Sequence, residues 1–388
     1  MIRKQQELWQ DGIAKTVNFI VTKDCQLACK YCYQVAKTEK ERMRFEIAQK
    51  AVDYLLDNRA LFKDASVIWE FTGGEPFLEI DMIDQICDYI TRRMYETKHP
   101  WFASHCFSIT TNGVNYHSEK VQRYILKNRK HLSIVVTIDG TERKHNLNRV
   151  YPNGRGSYRD VVRNIPLWLE QFPEGATKVT VASEDIPYIA ESVLHLYSLG
   201  IKVANINCIF ENVWQEGDDD LFEEQLIQLA DAIIDREYYR DHLCSFFSDT
   251  LGRPLDKKLH NHNWCGSGKM IAIDAQGNFY PCVRFAQYAL RNKQAITVGN
   301  VYEGLNTNRL RPFLTLDRCT QSPKECIECD VSRGCAWCQG ENYDAANSDT
   351  IFQRSVAICK MHKARVRANN YYWNRLFRKL ENEKTIAV

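Results

Sequence analysis

Cysteine spacing constrains this chain more than any other feature. Of fifteen cysteines in 388 residues, ten fall into spaced groups. Cys25, Cys29 and Cys32 form a C-x3-C-x2-C run near the start, and Cys265, Cys282, Cys326, Cys329, Cys335, Cys338 and Cys359 gather in the last third. A secreted chain would use such residues for disulfides, but the opening MIRKQQELWQDGIAK has no apolar signal-peptide core. No apolar run approaches the roughly 20 residues of a membrane helix. A formal charge of +2 gives no electrostatic case for nucleic acid or an anionic membrane as partner. The expected setting is the reducing cytoplasm, where clustered cysteines bind metal. Cys87, Cys106, Cys208 and Cys244 fall on helix or strand patterns and read as small core residues.

Strand and helix patterns alternate over residues 16–236. Strands are expected at Thr16–Val21, Ser66–Phe71, Cys106–Thr110, Ser133–Ile138, Lys178–Ala182 and Val203–Ile209. The intervening segments carry the 3.6-residue period of amphipathic helices, clearest at Ile47, Ala48, Ala51, Val52, Leu55 and Leu56. About six such βα units predict an α/β fold with a parallel sheet curled into a partial barrel. Residues 1–15 precede it as an extension, and residues 237–263 read as an irregular connection. Residues 264–360 form a cysteine- and glycine-rich unit with little hydrophobic periodicity, expected to bury little apolar core and to need metal. A basic, aromatic helix closes the chain within residues 361–388.

The C-x3-C-x2-C loop directly follows the first strand. Three thiolates hold three irons of a [4Fe–4S] cluster and leave the fourth open to a ligand; a zinc knuckle short of one ligand would read the same. The second strand runs into Thr72-Gly73-Gly74-Glu75-Pro76. On its own this is a turn before a helix, though glycines allow close approach and Glu75 suits an ammonium group. The third and fourth strands end in Asn112-Gly113 and Asp139-Gly140. Polar residues at successive C-terminal strand ends share one mouth of a barrel.

With the aromatic Tyr31 just before the third cysteine, TKDCQLACKYCY resembles the loop of the radical S-adenosylmethionine superfamily. The resemblance implies a partial (β/α)6 barrel of the radical SAM type. It also implies that Gly73, Gly74 and Glu75 serve the methionine amino group, that Tyr31, Asn112, Thr137 and Asp139 line the cofactor site, and that Arg149 reaches the carboxylate. The implied chemistry is one-electron cleavage of S-adenosylmethionine to a 5′-deoxyadenosyl radical, fed by a one-electron donor such as flavodoxin or ferredoxin.

The order Cys265-x11-Gly277-x4-Cys282, then Cys326, Cys329, Cys335, Cys338 and Cys359, resembles the C-terminal SPASM domain of peptide-modifying relatives. That domain carries two auxiliary clusters, making three [4Fe–4S] clusters in all. By resemblance Cys265, Cys282 and Cys338 hold the inner one, and Cys326, Cys329, Cys335 and Cys359 the outer one. The usual C-x3-C is C-x2-C here, and the inner set lacks an obvious fourth cysteine. Cys319 stands just outside the pattern as a candidate. A zinc ribbon at Cys326, Cys329, Cys335 and Cys338 would account for neither Cys265 and Cys282 nor the front loop.

In sulfatase maturases of this group an Asp follows the second SPASM cysteine and acts as base, whereas Val283, which accepts no proton, stands here. The runs VNFIVTKDCQLACKYCYQ, YPCVRF, GCAWC and ICKMHKARVRAN instead resemble maturases of ribosomal precursor peptides with repeated Cys-x-x-x units. The expected activity is therefore thioether formation. The alternatives are oxidation of a Cys or Ser to formylglycine and radical modification of a small molecule. The residues ahead of Thr16 are too few for the winged-helix leader-binding domain of some relatives. The Gly217-Asp218-Asp219-Asp220 run and the basic C-terminal helix are the exposed candidates for leader recognition, with a solvated charged face the plainer reading of both.

Overall fold

The computed structural model describes residues 14–35, 40–259 and 265–386. Most of the front extension and the end of the connection, residues 1–13 and 260–263, lie outside the described residues.

The β-branched runs become strands β1 (Ala14–Thr22), β2 (Ser66–Gly73), β3 (His105–Thr111), β4 (Leu132–Val136), β5 (Ala176–Val181) and β6 (Val203–Cys208). Strands β1 to β4 pair in parallel in chain order. A bridge between Thr137 and Lys178 carries the curl on to β5, which pairs in parallel with β6. Helices occupy the crossovers, as parallel pairing requires. The first, Phe45–Asp57, buries the six apolar residues that its period marks. The result is the α/β partial barrel anticipated from the sequence, with Trp69, Phe71, Phe107 and Trp168 in its core.

Two expectations about the second half fail. The connection is not wholly irregular, because β7 (Leu243–Cys244) adds a parallel rung to β6. The cysteine-rich segment also buries substantial apolar surface. Its strand β8 (Ile271–Ile273) pairs in parallel with β1, and β9 (Asn278–Tyr280), β10 (Gly299–Asn300) and β11 (Gly304–Leu305) extend the same sheet antiparallel. Ile271, Ala272, Ile273, Phe279, Phe285 and Val298 are fully buried in the barrel's own core. Strands of two or three residues are too short to show a period, and β1, the strand that β8 joins, lies at the other end of the chain.

The acidic run Asp218–Asp220 forms the first turn of the helix Asp218–Asp235, where carboxylates complement the N-terminal dipole. Against this helix lies the C-terminal helix Cys359–Ile386. Arg367 pairs with Glu223 at 2.5 Å, Arg375 with Asp231 and with Asp235 at 2.8 Å, and Lys379 with Glu237 at 3.3 Å. Part of the basic charge of the C-terminal helix is therefore matched by carboxylates of the neighbouring helix and its end. Cys87, Cys106 and Cys244 are buried, and Cys208 is partly exposed.

Candidate functional site

The C-terminal ends of β1 to β5 open onto one mouth, where the Cys25–Cys32 loop is anchored by backbone. Gly74 N–H donates to Thr22 O and Glu75 N–H to Asp24 O, each at 2.9 Å. The Gln34 side-chain amide donates to Gly73 O. A Cβ at Gly73 would lie 2.1 Å from Thr22 O, and one at Gly74 2.1 Å from Asp24 O. Both glycines thus permit the loop's own backbone to approach, a more immediate reason for the pair than room for a ligand.

Glu75 is 1 % exposed. Its Oε1 accepts from Phe77 N–H at 3.0 Å and Thr111 Oγ1–H at 2.6 Å, and its Oε2 from Asn112 N–H at 2.7 Å. Burial pushes its pKa up and these bonds oppose the shift. Glu75 therefore ties the end of β2 to the end of β3 as well as facing the mouth. Asn112 Nδ2 stands 3.9 Å from Cys25 Sγ. Thr137 contributes its backbone here, its N–H donating to Thr111 O at 2.9 Å.

Asp139, fully buried, accepts from Tyr31 O–H at 2.5 Å and from Thr180 N–H at 3.0 Å. Tyr31 in turn accepts from Arg149 Nη1–H at 3.0 Å. Burial works against the Arg149 charge, but Tyr31, Cys29 and Asp139 outweigh it and hold its pKa above the usual arginine range. Burial likewise opposes the Asp139 charge, yet Lys144, Arg149 and His145 keep its pKa low. Among the described residues the buried Nε of Arg149 has no hydrogen-bond partner. An open guanidinium edge and a carboxylate at one mouth match the carboxylate and ammonium of an amino-acid moiety, so these residues fit S-adenosylmethionine. Tyr31, Glu75, Asn112, Asp139 and Arg149 are thus brought together beside Cys25 and Cys29.

Lys144 was not foreseen. The run Glu142–Asn148 reads as an exposed polar helix, yet Lys144 is 1 % exposed. Its Nζ donates to Thr180 O at 2.9 Å and lies 3.7 Å from Asp185. Asn148 Nδ2 donates to both Asp185 oxygens at 3.2 Å.

The remaining cysteines separate into two sets by their mutual influence. Burial pushes the Cys282 thiol up, followed by Cys265 and Cys338. Burial raises the Cys335 thiol too, with Cys359, Cys326 and Cys329 adding to it. Among the described residues no group of three or more His, Cys, Asp or Glu side chains is arranged around one ion. A cluster takes one thiolate per iron at separate corners.

Each set has arginines that the sequence did not flag. Beside the inner set, Arg284 Nη2 reaches Glu211 at 2.8 Å and Glu341 at 2.9 Å, and its guanidinium lies 4.8 Å from the Tyr33 ring centroid. Burial and Glu211 push the Glu341 carboxyl up to about 7. At the outer set, Arg354 Nη2 donates to Cys335 Sγ at 3.0 Å. Below the mouth, a lumen cavity of about 290 Å3 is lined by Thr16, Ile68, Glu70, Ser108, Ser133 and Asn205 among others. Glu70 there accepts from Asn18 at 2.7 Å, while Asn18 Oδ1 and Thr16 Oγ1 have no partner.

The family described as the radical SAM superfamily matches residues 19–182. An uncharacterized protein of Methanocaldococcus jannaschii is 32% identical over 273 residues, covering 68% of this chain and 82% of that protein. A serine-type anaerobic sulfatase-maturating enzyme of Bacteroides thetaiotaomicron is 22% identical over 340 residues, covering 80% and 78%. The solved structure of native anSMEcpe with bound AdoMet and Cp18Cys peptide superposes with a TM-score of 0.69 at 19% identity, covering 95% of this chain and 99% of that one.

Proposed function

Because the chain belongs to the radical SAM superfamily, we propose that it is a SPASM-type maturase that installs thioether cross-links in a ribosomal precursor peptide with cysteine repeats. The observation that carries this reading is the division of ten cysteines into a loop triplet at the barrel mouth and two further sets of three and four. A peptide is favoured as substrate by the peptide bound in anSMEcpe.

Cys25, Cys29 and Cys32 would hold the first cluster, Cys265, Cys282 and Cys338 the inner auxiliary one, and Cys326, Cys329, Cys335 and Cys359 the outer. When bound, S-adenosylmethionine and the reduced first cluster supply a 5′-deoxyadenosyl radical that removes hydrogen from an unactivated carbon. The chain's own part is orientation. Glu75, with lone pairs left beyond its three hydrogen bonds, receives the ammonium, and the open edge of Arg149 receives the carboxylate. Asp139 and Tyr31 hold Arg149 in place. With only three cysteines, the inner set leaves a position for the substrate sulfur.

Cys319, in the short helix Arg318–Gln321, decides whether that position is open. Cys319→Ala should keep about twelve irons per chain and full thioether yield. Loss of about four irons, or of cross-linking with cofactor cleavage intact, would make Cys319 a ligand and close the position.

A second reading, formylglycine formation, gains support from Glu211 and Glu341, carboxylates near Cys282 that could accept the proton Val283 cannot. The deciding experiment incubates the anaerobically loaded enzyme with reductant, S-adenosylmethionine and a cysteine-repeat peptide, read by mass spectrometry. Thioether formation removes two hydrogens per bridge and retains sulfur, whereas formylglycine formation from cysteine expels it. Deoxyadenosine release with the peptide unchanged would refute the substrate class.

A further inference from the structure

We propose that Arg318 and Arg354 tune the outer cysteine set, making its cluster the more oxidising of the two auxiliary centres. Arg318 is 2 % exposed and Arg354 9 %. Arg354 donates to Cys335 Sγ at 3.0 Å and to Ser322 Oγ at 3.2 Å, and lies 4.6 Å from the Trp337 ring centroid. Arg318 donates to Cys326 O, while its Nε and Nη1 are buried without partners among the described residues. Burial depresses the Arg318 pKa, then Arg354 does, and the nearby Cys335, Cys326 and Cys329 oppose this.

Among the described residues neither arginine is paired with a carboxylate. Two neighbouring buried guanidiniums repel and are costly without an anion. Among the described residues, the opposing charges that act on Arg318 are the thiolates of Cys335, Cys326 and Cys329. Four thiolates on an oxidised [4Fe–4S] core carry two net negative charges, which two arginines balance. Reduction adds a third, and nearby positive charge with an N–H···S bond favours it.

The inner set lacks this unmatched charge. Beside it Arg284 and Arg291 are matched by Glu211 and Glu341, so the side chains there bring little net charge. An added electron gains no comparable support there. Closing a C–S bond between a carbon radical and a thiolate releases one electron. Arg318 and Arg354 would favour passage of that electron to the outer set, from which a one-electron carrier of the ferredoxin class would take it.

This inference rests on the cluster assignment above but not on the substrate, so it is tested without peptide. Full-length chain with the three loop cysteines replaced by alanine leaves two signals to titrate, read by electron paramagnetic resonance at controlled potential. Arg354→Gln should lower the outer midpoint and leave the inner one in place, and Arg354→Lys should restore most of the loss. Glu341→Gln should raise the inner midpoint and narrow the gap. An outer midpoint unmoved by Arg354→Gln with iron retained would overturn the proposal, as would an inner centre that is the more oxidising. Should Arg354→Gln shed iron, Glu341→Gln decides by itself, and an unchanged gap overturns the proposal. A parent protein that binds no auxiliary iron would instead refute the cluster assignment.

Discussion

Replacing Cys25, Cys29 and Cys32 together with alanine should abolish reductive cleavage of S-adenosylmethionine while about eight of about twelve irons remain bound. The loop hangs from the end of β1 on backbone bonds to Gly74 and Glu75, and its thiols hold no part of the core. The other seven cysteines lie beyond residue 264 and form their own sets, so they should load unaided. The Tyr31, Asp139 and Arg149 chain also survives, since it is made of side chains the substitution leaves untouched. Cofactor should therefore still bind, only more weakly. Deoxyadenosine formed by this variant under dithionite would show that the radical is generated elsewhere and would undo the functional reading at its base.

Lys144→Met should cost about 3–5 kcal/mol of stability at neutral pH, the usual consequence of removing one partner from a buried ion pair. Lys144 is the main opposing charge for both Asp139 and Asp185, and methionine matches its length but not its charge. Burial already pushes the Asp185 carboxyl up to about 6, above roughly 3.9 for an unfolded Asp. A folded-state pKa above the unfolded one gives stability that is present at low pH and lost as pH rises through the folded value. Without Lys144 that pKa climbs further, and the low pKa of Asp139 loses its first support. Both effects make the deficit small near pH 4 and larger toward pH 8. Denaturation of the iron-loaded protein across that range checks the slope. Lys144→Met with Asp185→Asn should recover part of the loss. A deficit independent of pH would show that Lys144 acts through packing alone.

Legibility differed by the kind of information each feature carries. The helix Phe45–Asp57 and the six barrel strands were readable because burial on one face imposes a period on consecutive residues. The cysteine loop was readable because its spacing is local, whereas Glu75, Asn112 and Asp139 could be placed at strand ends and took a cofactor role only from the family resemblance. Glu75 shows the limit of that. Its place at the mouth could be inferred, but its hydrogen bonds to Phe77, Thr111 and Asn112 come from neighbouring structure and make it a tie between strands as well.

The amino-acid sequence by itself determined the α/β barrel, the cysteine triplet and the order of the other seven. These depend on short-range periodicity and on ligands a few residues apart. Tertiary structure alone decided that Lys144 is buried, that Arg284 sits between Glu211 and Glu341, and that Arg318 and Arg354 face the outer cysteines without carboxylate partners among the described residues. It also decided that β8 joins β1 and that Arg367 and Arg375 of the last helix pair with Glu223, Asp231 and Asp235. Each of these is a pairing of charges or strands across a long stretch of chain. A charged residue carries no mark of its partner in its own neighbourhood, because burial and compensation are properties of the assembled surfaces.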